Sequence, residues 1–522
     1  MMEIIQNIIF AIPSSVWVAF ICVVGAYIWG TWPYRQLKNL GIPGPKPTAF
    51  FGNLLDMKKK GVFKLDPELL SKYGDVVSFY MGRYPGVIVA DPEMIKQIMV
   101  KDFSVFTNRS NLQPGDKIAA DMVLRARDEK WKFLRTILSP NFTSKKMRQM
   151  VPLVHTALST LEKNCETKSK SGEQVDINAL FGGYTMDVIA STSFGIEVDS
   201  QNDPNNPFVQ NAMKTIRTDR FRFIFLLSFI CNPLFKLFVR STYLFNSVVS
   251  SRKFLINFCR MLLADRKEKK ILDSNDLLQM MINTQEAPNA SKETNRIGDA
   301  EQKISKPTDT SFKRRKMTDQ EIVAQCFIFF LAGYETTAST LSFMAHSLSL
   351  NPDIQKKLTQ EIKDILGDEL PDYDNIQKLP YLDQCMSETL RKYPIATRVI
   401  RHTSRDITIK NWQIPKDTEV IIPIYGLHHN PKYWPDPQKF DPERFSPEAQ
   451  EKHTPFTYLP FGGGPRICIG MRLAQMELKM AMVQILRKFK FVPCEKTEDE
   501  IVFNNSPLLT PQNGITLKIE KI

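Results

Sequence analysis

Residues Phe461 to Gly470 read FGGGPRICIG: one cysteine, Cys468, with Arg466 two residues before it and glycines on both sides. A cysteine thiolate is a nucleophile and a soft metal ligand, and glycines let backbone approach whatever it binds. The plain alternative is a small buried hydrophobe. A second stretch, AGYETT (Ala332 to Thr337), places a glycine, an acid and two threonine hydroxyls within two helical turns. Gly333 costs about 1 kcal/mol relative to Ala in a helix. Thr336 lies four residues after Ala332, so its hydroxyl can bond back to that carbonyl and bend the helix. This is either a local gap furnished with proton donors or a kink with a packing glycine. A third stretch, ETLR, puts Glu388 and Arg391 at i and i+3 on one helical face. On the surface such a pair is worth little; buried, it locks a scaffold rather than doing chemistry.

These residues need elements to hold them. Thr318-Asp319-Gln320-Glu321 has capping-box spacing, and helical pattern continues to Leu350, where Asn351-Pro352 stops it. That predicts a helix of about 33 residues, roughly 50 Å long, apolar enough to cross a core. Pro380 opens the ETLR helix and Pro394 follows its end; another helix starts just after Cys468. VVSFYMGRYPGVIVA, Val76 to Ala90, reads as a β-hairpin about a Tyr-Pro-Gly turn. From there helical periodicity dominates to about Lys392. Phe221 to Phe245 is rich in Phe and Leu but broken by Pro233 and basic residues, which fits a core segment or one dipping into a bilayer interface. Residues 286–316 are polar with charges of both signs, a surface-loop composition.

The chain of 522 residues is 43% hydrophobic and 24% charged, with a net charge of +13. That excess suits an anionic membrane surface or an acidic partner, or simply scattered solvated lysines; no nucleic-acid module is visible, so nucleic acid is not expected as a partner. The 8 cysteines include no CxxC pair, which excludes a disulfide framework or zinc site. Ile4 to Tyr34 carries no charge, a longer run than the roughly 20 residues a spanning helix needs. Arg35 and Lys38 follow it, so positive-inside logic keeps the rest cytosolic. The expected organisation is an uncleaved transmembrane anchor (1–34), a proline-rich hinge around GIPGPKP (35–50) and a single domain (51–522). The sequons at Asn108, Asn141 and Asn289 carry no meaning on the cytosolic side.

Phe461, Gly464, Arg466, Cys468 and Gly470 fit F-x-x-G-x-R-x-C-x-G and resemble the haem-binding loop of the cytochrome P450 superfamily. AGYETT, ETLR and DPERF (Asp441 to Phe445) precede it in the family's order, and the resemblance spans essentially the whole chain. DEKWKFLRTILSPNFTS, RKYPIATR and CIGMRLA look most like the microsomal family 3 branch of drug and steroid monooxygenases. The resemblance implies a mainly α fold with small β-sheets, a long central helix over haem b, and Cys468 as the proximal thiolate on iron. It implies propionate partners at Arg466, Trp131, Arg135, Arg401 and Arg109, and Phe461 in the haem loop. Gly333 would seat O2, Thr336 and Glu335 would deliver protons, and Glu388, Arg391 and Arg444 would form a structural cluster.

It further implies a substrate that is large and lipophilic, O2 and NADPH as co-substrates, NADPH–cytochrome P450 reductase as electron donor with cytochrome b5 as a further partner, and residence in the endoplasmic reticulum membrane. Lys132, Arg135, Lys439, Lys452, Lys479, Arg487 and Lys488 are expected on a reductase-docking face. The pocket is expected near Asn111 to Leu124, Phe208 to Phe245, Phe327 to Thr337 and Ile395 to Val399. The competing readings are a haem-thiolate peroxide isomerase of the thromboxane-forming type, whose members typically lack the acid–threonine pair, and a non-catalytic haem sensor.

Overall fold

The hydroxyl of Thr318 accepts from the Glu321 N–H while the Glu321 carboxylate accepts from the Thr318 N–H, and from this cap the central helix runs Asp319–Leu350. The computed structural model containing it describes residues 13–110, 117–203, 205–216, 246–269, 276–286, 315–506 and 508–522. The Phe-rich stretch 221–245 and most of the polar 286–316 segment therefore lie outside the described residues.

Among the described residues, two helices are long and apolar enough to cross a membrane, and burial separates them. The central helix is mostly buried inside protein, as a core element must be. The helix Ser14–Thr31 exposes Phe20 and Ile21 at 59% and 65%, which suits a lipid surround. Its end is seated on the domain. Arg83 lies 3.5 Å above the Trp29 ring, and the Tyr34 hydroxyl donates to Thr48 O at 3.0 Å and accepts from the Gly52 N–H at 3.0 Å. Arg35–Asn39, inside the expected hinge, is helical.

Strands β1 (Val76–Met81) and β2 (Tyr84–Val89) form the hairpin. Its turn is Gly82-Arg83, not the Tyr-Pro-Gly expected from sequence: Gly82 supplies the positive φ of +64°, and Pro85 sits within β2 opposite Tyr80. With β3 (Val175–Asp176), β4 (Val399–His402), β5 (Ile407–Ile409), β6 (Trp412–Ile414), β7 (Glu419–Ile422), β8 (Phe489–Val492) and β9 (Thr516–Lys521) they make a four-stranded sheet β1-β2-β7-β4, a three-stranded sheet β3-β9-β8 and the β5-β6 hairpin. The other described residues are mainly helical. The central helix packs most extensively against Ile177–Phe194, and that close approach is what Gly333 permits: a Cβ there would meet Ile189 Cδ1 at 2.6 Å. The missing side chain of Gly333 thus faces a neighbouring helix, which is a packing role.

The ETLR helix spans Pro380–Lys392. The Glu361 carboxylate accepts from the free Tyr381 and Leu382 N–H groups at 2.7 and 2.9 Å, capping its start. Glu388 and Arg391 are both fully buried and bonded twice, Nε to Oε2 at 2.6 Å and Nη2 to Oε1 at 2.8 Å. Glu388 also accepts from the Asp441 N–H at 3.0 Å, and Arg444 Nε stands 3.5 Å from it. Burial, the largest influence, pushes the Glu388 carboxyl up while Arg391 pulls it down. Arg391 donates to His428 O at 2.8 Å. His428 Nε2 accepts from the Leu459 N–H at 2.9 Å, so its Nδ1 carries the proton toward Arg391 O at 3.2 Å. Deletion of one partner strands a buried charge, so Glu388→Ala should destabilise the protein by about 3–5 kcal/mol. Thermal unfolding checks this; an unchanged midpoint would contradict a locking role.

Candidate active site

The cysteine loop is shaped before any ligand is considered. Phe461 O accepts from the Cys468 N–H at 3.0 Å, and Gly464 O from the Ile467 N–H at 2.9 Å, closing the short 3-10 turn Gly464–Arg466. Gly464 has φ +68°, and a Cβ on it would run into Met99 O; only glycine fits. Gly470 then caps the helix Met471–Leu486.

Cys468 is solvent-accessible yet densely surrounded, which places it on the wall of an interior space rather than at the outer surface. Burial pushes its thiol up; the Gly470 N–H, Arg135 and Arg109 oppose that and favour thiolate. The buried Cys165 and Cys259 are pushed up to about 12 by desolvation, and Cys326 and Cys385 rise well above the ordinary range for the same main reason. Those thiols are inert packing groups.

Four of the expected arginines meet here from four separate parts of the chain. The Asn108↔His402 bridge sets Arg109 beside Arg401 of β4. Arg135 lies one turn after Trp131 on the helix Asp128–Leu138, and both side chains are buried. Arg466 stacks on the Trp131 ring at 4.1 Å. Three of its five N–H donors go to backbone: Nε to Thr107 O at 2.9 Å, Nη1 to Val123 O at 3.3 Å and Nη2 to Ala126 O at 2.8 Å. Arg109 Nη2 reaches Arg466 O at 3.4 Å.

Desolvation first, then repulsion from Arg109, Arg401 and Arg135, pushes Arg466 down to about 7; desolvation and Arg109 push Arg401 down to about 9. A guanidinium keeps its proton in proteins, so the relief available to this cluster is an anion. Arg109 Nε and Arg401 Nε are buried without a hydrogen-bond partner, and among the described residues neither is in an ion pair with a carboxylate. Two ligand carboxylates would satisfy them. The haem implied by the sequence resemblance carries two propionates, so this donor set fits it.

The second constellation lies on the central helix. Thr336 Oγ1 donates to Ala332 O at 2.6 Å, and Thr340 Oγ1 to Thr336 O at 2.8 Å. Ala332 is exposed, and Leu331, Gly333, Glu335 and Thr336 are half-buried, within a helix otherwise sunk in the core. Phe208 packs on Phe330 at 4.6 Å and on Phe258 at 4.7 Å, an aromatic wall nearby in the fold. Glu388, Arg391 and Arg444 form their own cluster, linked toward the cysteine loop through His428 and Leu459. Sequence reading missed His428 and Gln325; neither has a local signal, since each works by meeting a distant backbone segment.

Of the residues expected on a reductase-docking face, Arg135 and Lys479 are buried, the latter paired with Asp383 at 2.5 Å. Lys132 and Lys488 are tied to Glu129 and Glu162 at 2.7 and 2.5 Å. Lys439 and Lys452 are exposed.

Replacing a strained buried arginine by an apolar residue should leave the haem-free chain as stable as before or stabilise it by about 1–4 kcal/mol, while haem retention falls several-fold. Arg401→Leu tests this by haem content after gel filtration together with thermal unfolding. Full haem retention would show that the cluster serves another purpose.

The model of the cytochrome P450 family matches residues 42–519. The chain is 40% identical to "Cytochrome P450 3A14" of Cavia porcellus over 499 residues, 94% of each chain. It is 40% identical to "Cytochrome P450 3A11" of Mus musculus over 522 residues, 98% of each chain, and 38% identical to "Cytochrome P450 3A29" of Sus scrofa.

Proposed function

The chain belongs to the cytochrome P450 family and is a haem-thiolate monooxygenase using NADPH and O2 through a reductase; we propose that Cys468 is its axial thiolate and that large lipophilic molecules, steroids and drugs among them, are its substrates. The observation carrying this reading is the buried arginine cluster around Cys468, the one thiol among the described residues with a helix N-terminus beside it. Haem, when bound, supplies one-electron redox chemistry and oxygen activation.

The chain's own residues supply the setting. Arg109, Arg135 and Arg401 would hold the propionates, and Trp131 and Arg466 brace the loop. Thr336 keeps its hydroxyl proton on Ala332 O, leaving its lone pairs to accept a hydrogen bond on the accessible side of the helix. Glu335, half-buried on the next position, takes protons from outside and passes them inward, general-acid work in a site closed to bulk water. Gly333 lets the helix lie close to Ile189 and so fixes where Thr336 stands. Phe327, Phe329 and Phe330, all buried on the same helix, give the pocket an apolar wall. An isomerase needs no such proton delivery, so Glu335 and Thr336 favour the oxygenase.

The domain is one haem-binding unit, 51–522, reached from an anchor that places it on the cytosolic face of the endoplasmic reticulum. Lys452, and Lys439 once it leaves Asp441 3.4 Å away, face an acidic reductase, with cytochrome b5 as a second donor to that face.

The test is turnover of a lipophilic substrate by the full chain with reductase. Product should need NADPH and O2, and Thr336→Val should lower product formed per NADPH consumed by at least tenfold while NADPH oxidation continues. Unchanged coupling would remove Thr336 from the proton path. Product from an endoperoxide without NADPH would overturn the oxygenase reading.

A further inference from the structure

One residue, Val123, joins the central helix to the cysteine loop. Its N–H donates to Gln325 Oε1 at 2.8 Å, and its carbonyl accepts from Arg466 Nη1 at 3.3 Å. Gln325 is fully buried on the central helix, and its amide nitrogen donates to Asp121 O at 2.7 Å and to Glu321 O at 3.0 Å. The side-chain amide thus clamps the peptide chain on both sides of Met122. Arg466 takes the other edge of the same segment, adding Ala126 O at 2.8 Å. Lys130 pairs with the Asp121 carboxylate and holds the near end. Segment 117–126 is therefore hydrogen-bonded to a helix carrying Thr336 and to a loop carrying Cys468.

Helical geometry adds direction. Gln325 lies seven residues before Ala332 and eleven before Thr336, so all three share one face. An occupant beside the accessible Ala332 and the half-buried Thr336 would meet the face that carries Gln325. A buried amide with both ends satisfied by backbone has one stable placement, because leaving either partner unpaired is unfavourable.

We propose that Gln325 is a positioning residue for the Cys468 loop: by fixing the Val123 peptide it fixes Arg466, so that displacement of the 117–126 wall is transmitted to the thiolate. This rests on the assignment of Cys468 as the haem ligand. It assigns to Gln325 no contact with haem, oxygen or substrate.

The experiment uses the full-length haem-loaded protein in detergent, with Gln325→Leu compared with Leu358→Ala, a core change on the helix Pro352–Leu366 that touches neither segment. Hydrogen exchange is followed by mass spectrometry in peptides covering 117–126 and 461–470. Gln325→Leu should speed exchange at least tenfold in the first and at least threefold in the second. It should also hasten loss of the thiolate-type carbon monoxide spectrum at least threefold relative to Leu358→Ala. Faster exchange confined to 117–126, or the same changes in Leu358→Ala, would reduce Gln325 to a local clamp and overturn the proposal. No change in either peptide would overturn it as well. The exchange readout does not depend on which residue ligates iron, so a failed Cys468 assignment would show separately, as a thiolate spectrum that persists in Cys468→Ala.

Discussion

Like charges in a poorly screened interior repel strongly, and four guanidiniums gathered about one thiol set the terms for the rest of this fold. Arg109 follows a strand bridge, Arg135 rides a helix, Arg401 stands on β4 and Arg466 belongs to the cysteine loop. None of these elements is near another in sequence, so the fold must be assembled before the cluster exists. Once assembled it is unfavourable by itself, with Arg466 and Arg401 pushed far below their ordinary range by burial and by one another. A bound dianion reverses that sign. Haem binding and folding stability are then one linked equilibrium, in which the ligand repays through propionates what the arginines cost.

The loop itself is held from both ends. His428 accepts the Leu459 N–H before it, and Gly470 hands it to a helix N-terminus after it. In between, Arg466 ties it to Thr107, Val123 and Ala126, and Gly464 lets it pass against Met99 O. The buried Glu388–Arg391 pair stands behind His428. Rigidity of this order is what a preorganised ligand needs, since a thiolate that wanders is neither aligned nor kept ionised.

Much of this was legible in the sequence for reasons that are local. A capping box, an apolar run and a terminal Asn-Pro fixed the central helix to within one residue at its start, because caps and breakers act over one turn. The ETLR helix is bounded by prolines in the same way. The cysteine motif and the resemblance at Trp131 and Arg135 pointed at residues that do converge. What sequence reading missed depends on tertiary partners. Gln325 and His428 have no pattern around them; their partners lie 202 and 31 residues away. Tyr-Pro-Gly looked like a turn, but Gly82 supplied the left-handed backbone first. The missing Cβ of Gly333 faces Ile189, a packing contact that its sequence neighbours do not specify. Arg135 and Lys479 looked like surface charges until burial showed otherwise.

The central claim is that Cys468 ligates haem iron as a thiolate. The most direct measurement is the spectrum of the reduced, carbon monoxide-bound protein. The wild-type chain should show the strongly red-shifted Soret band of thiolate ligation, and Cys468→Ala should lose it while remaining folded. A red-shifted band that survives the substitution would contradict the account.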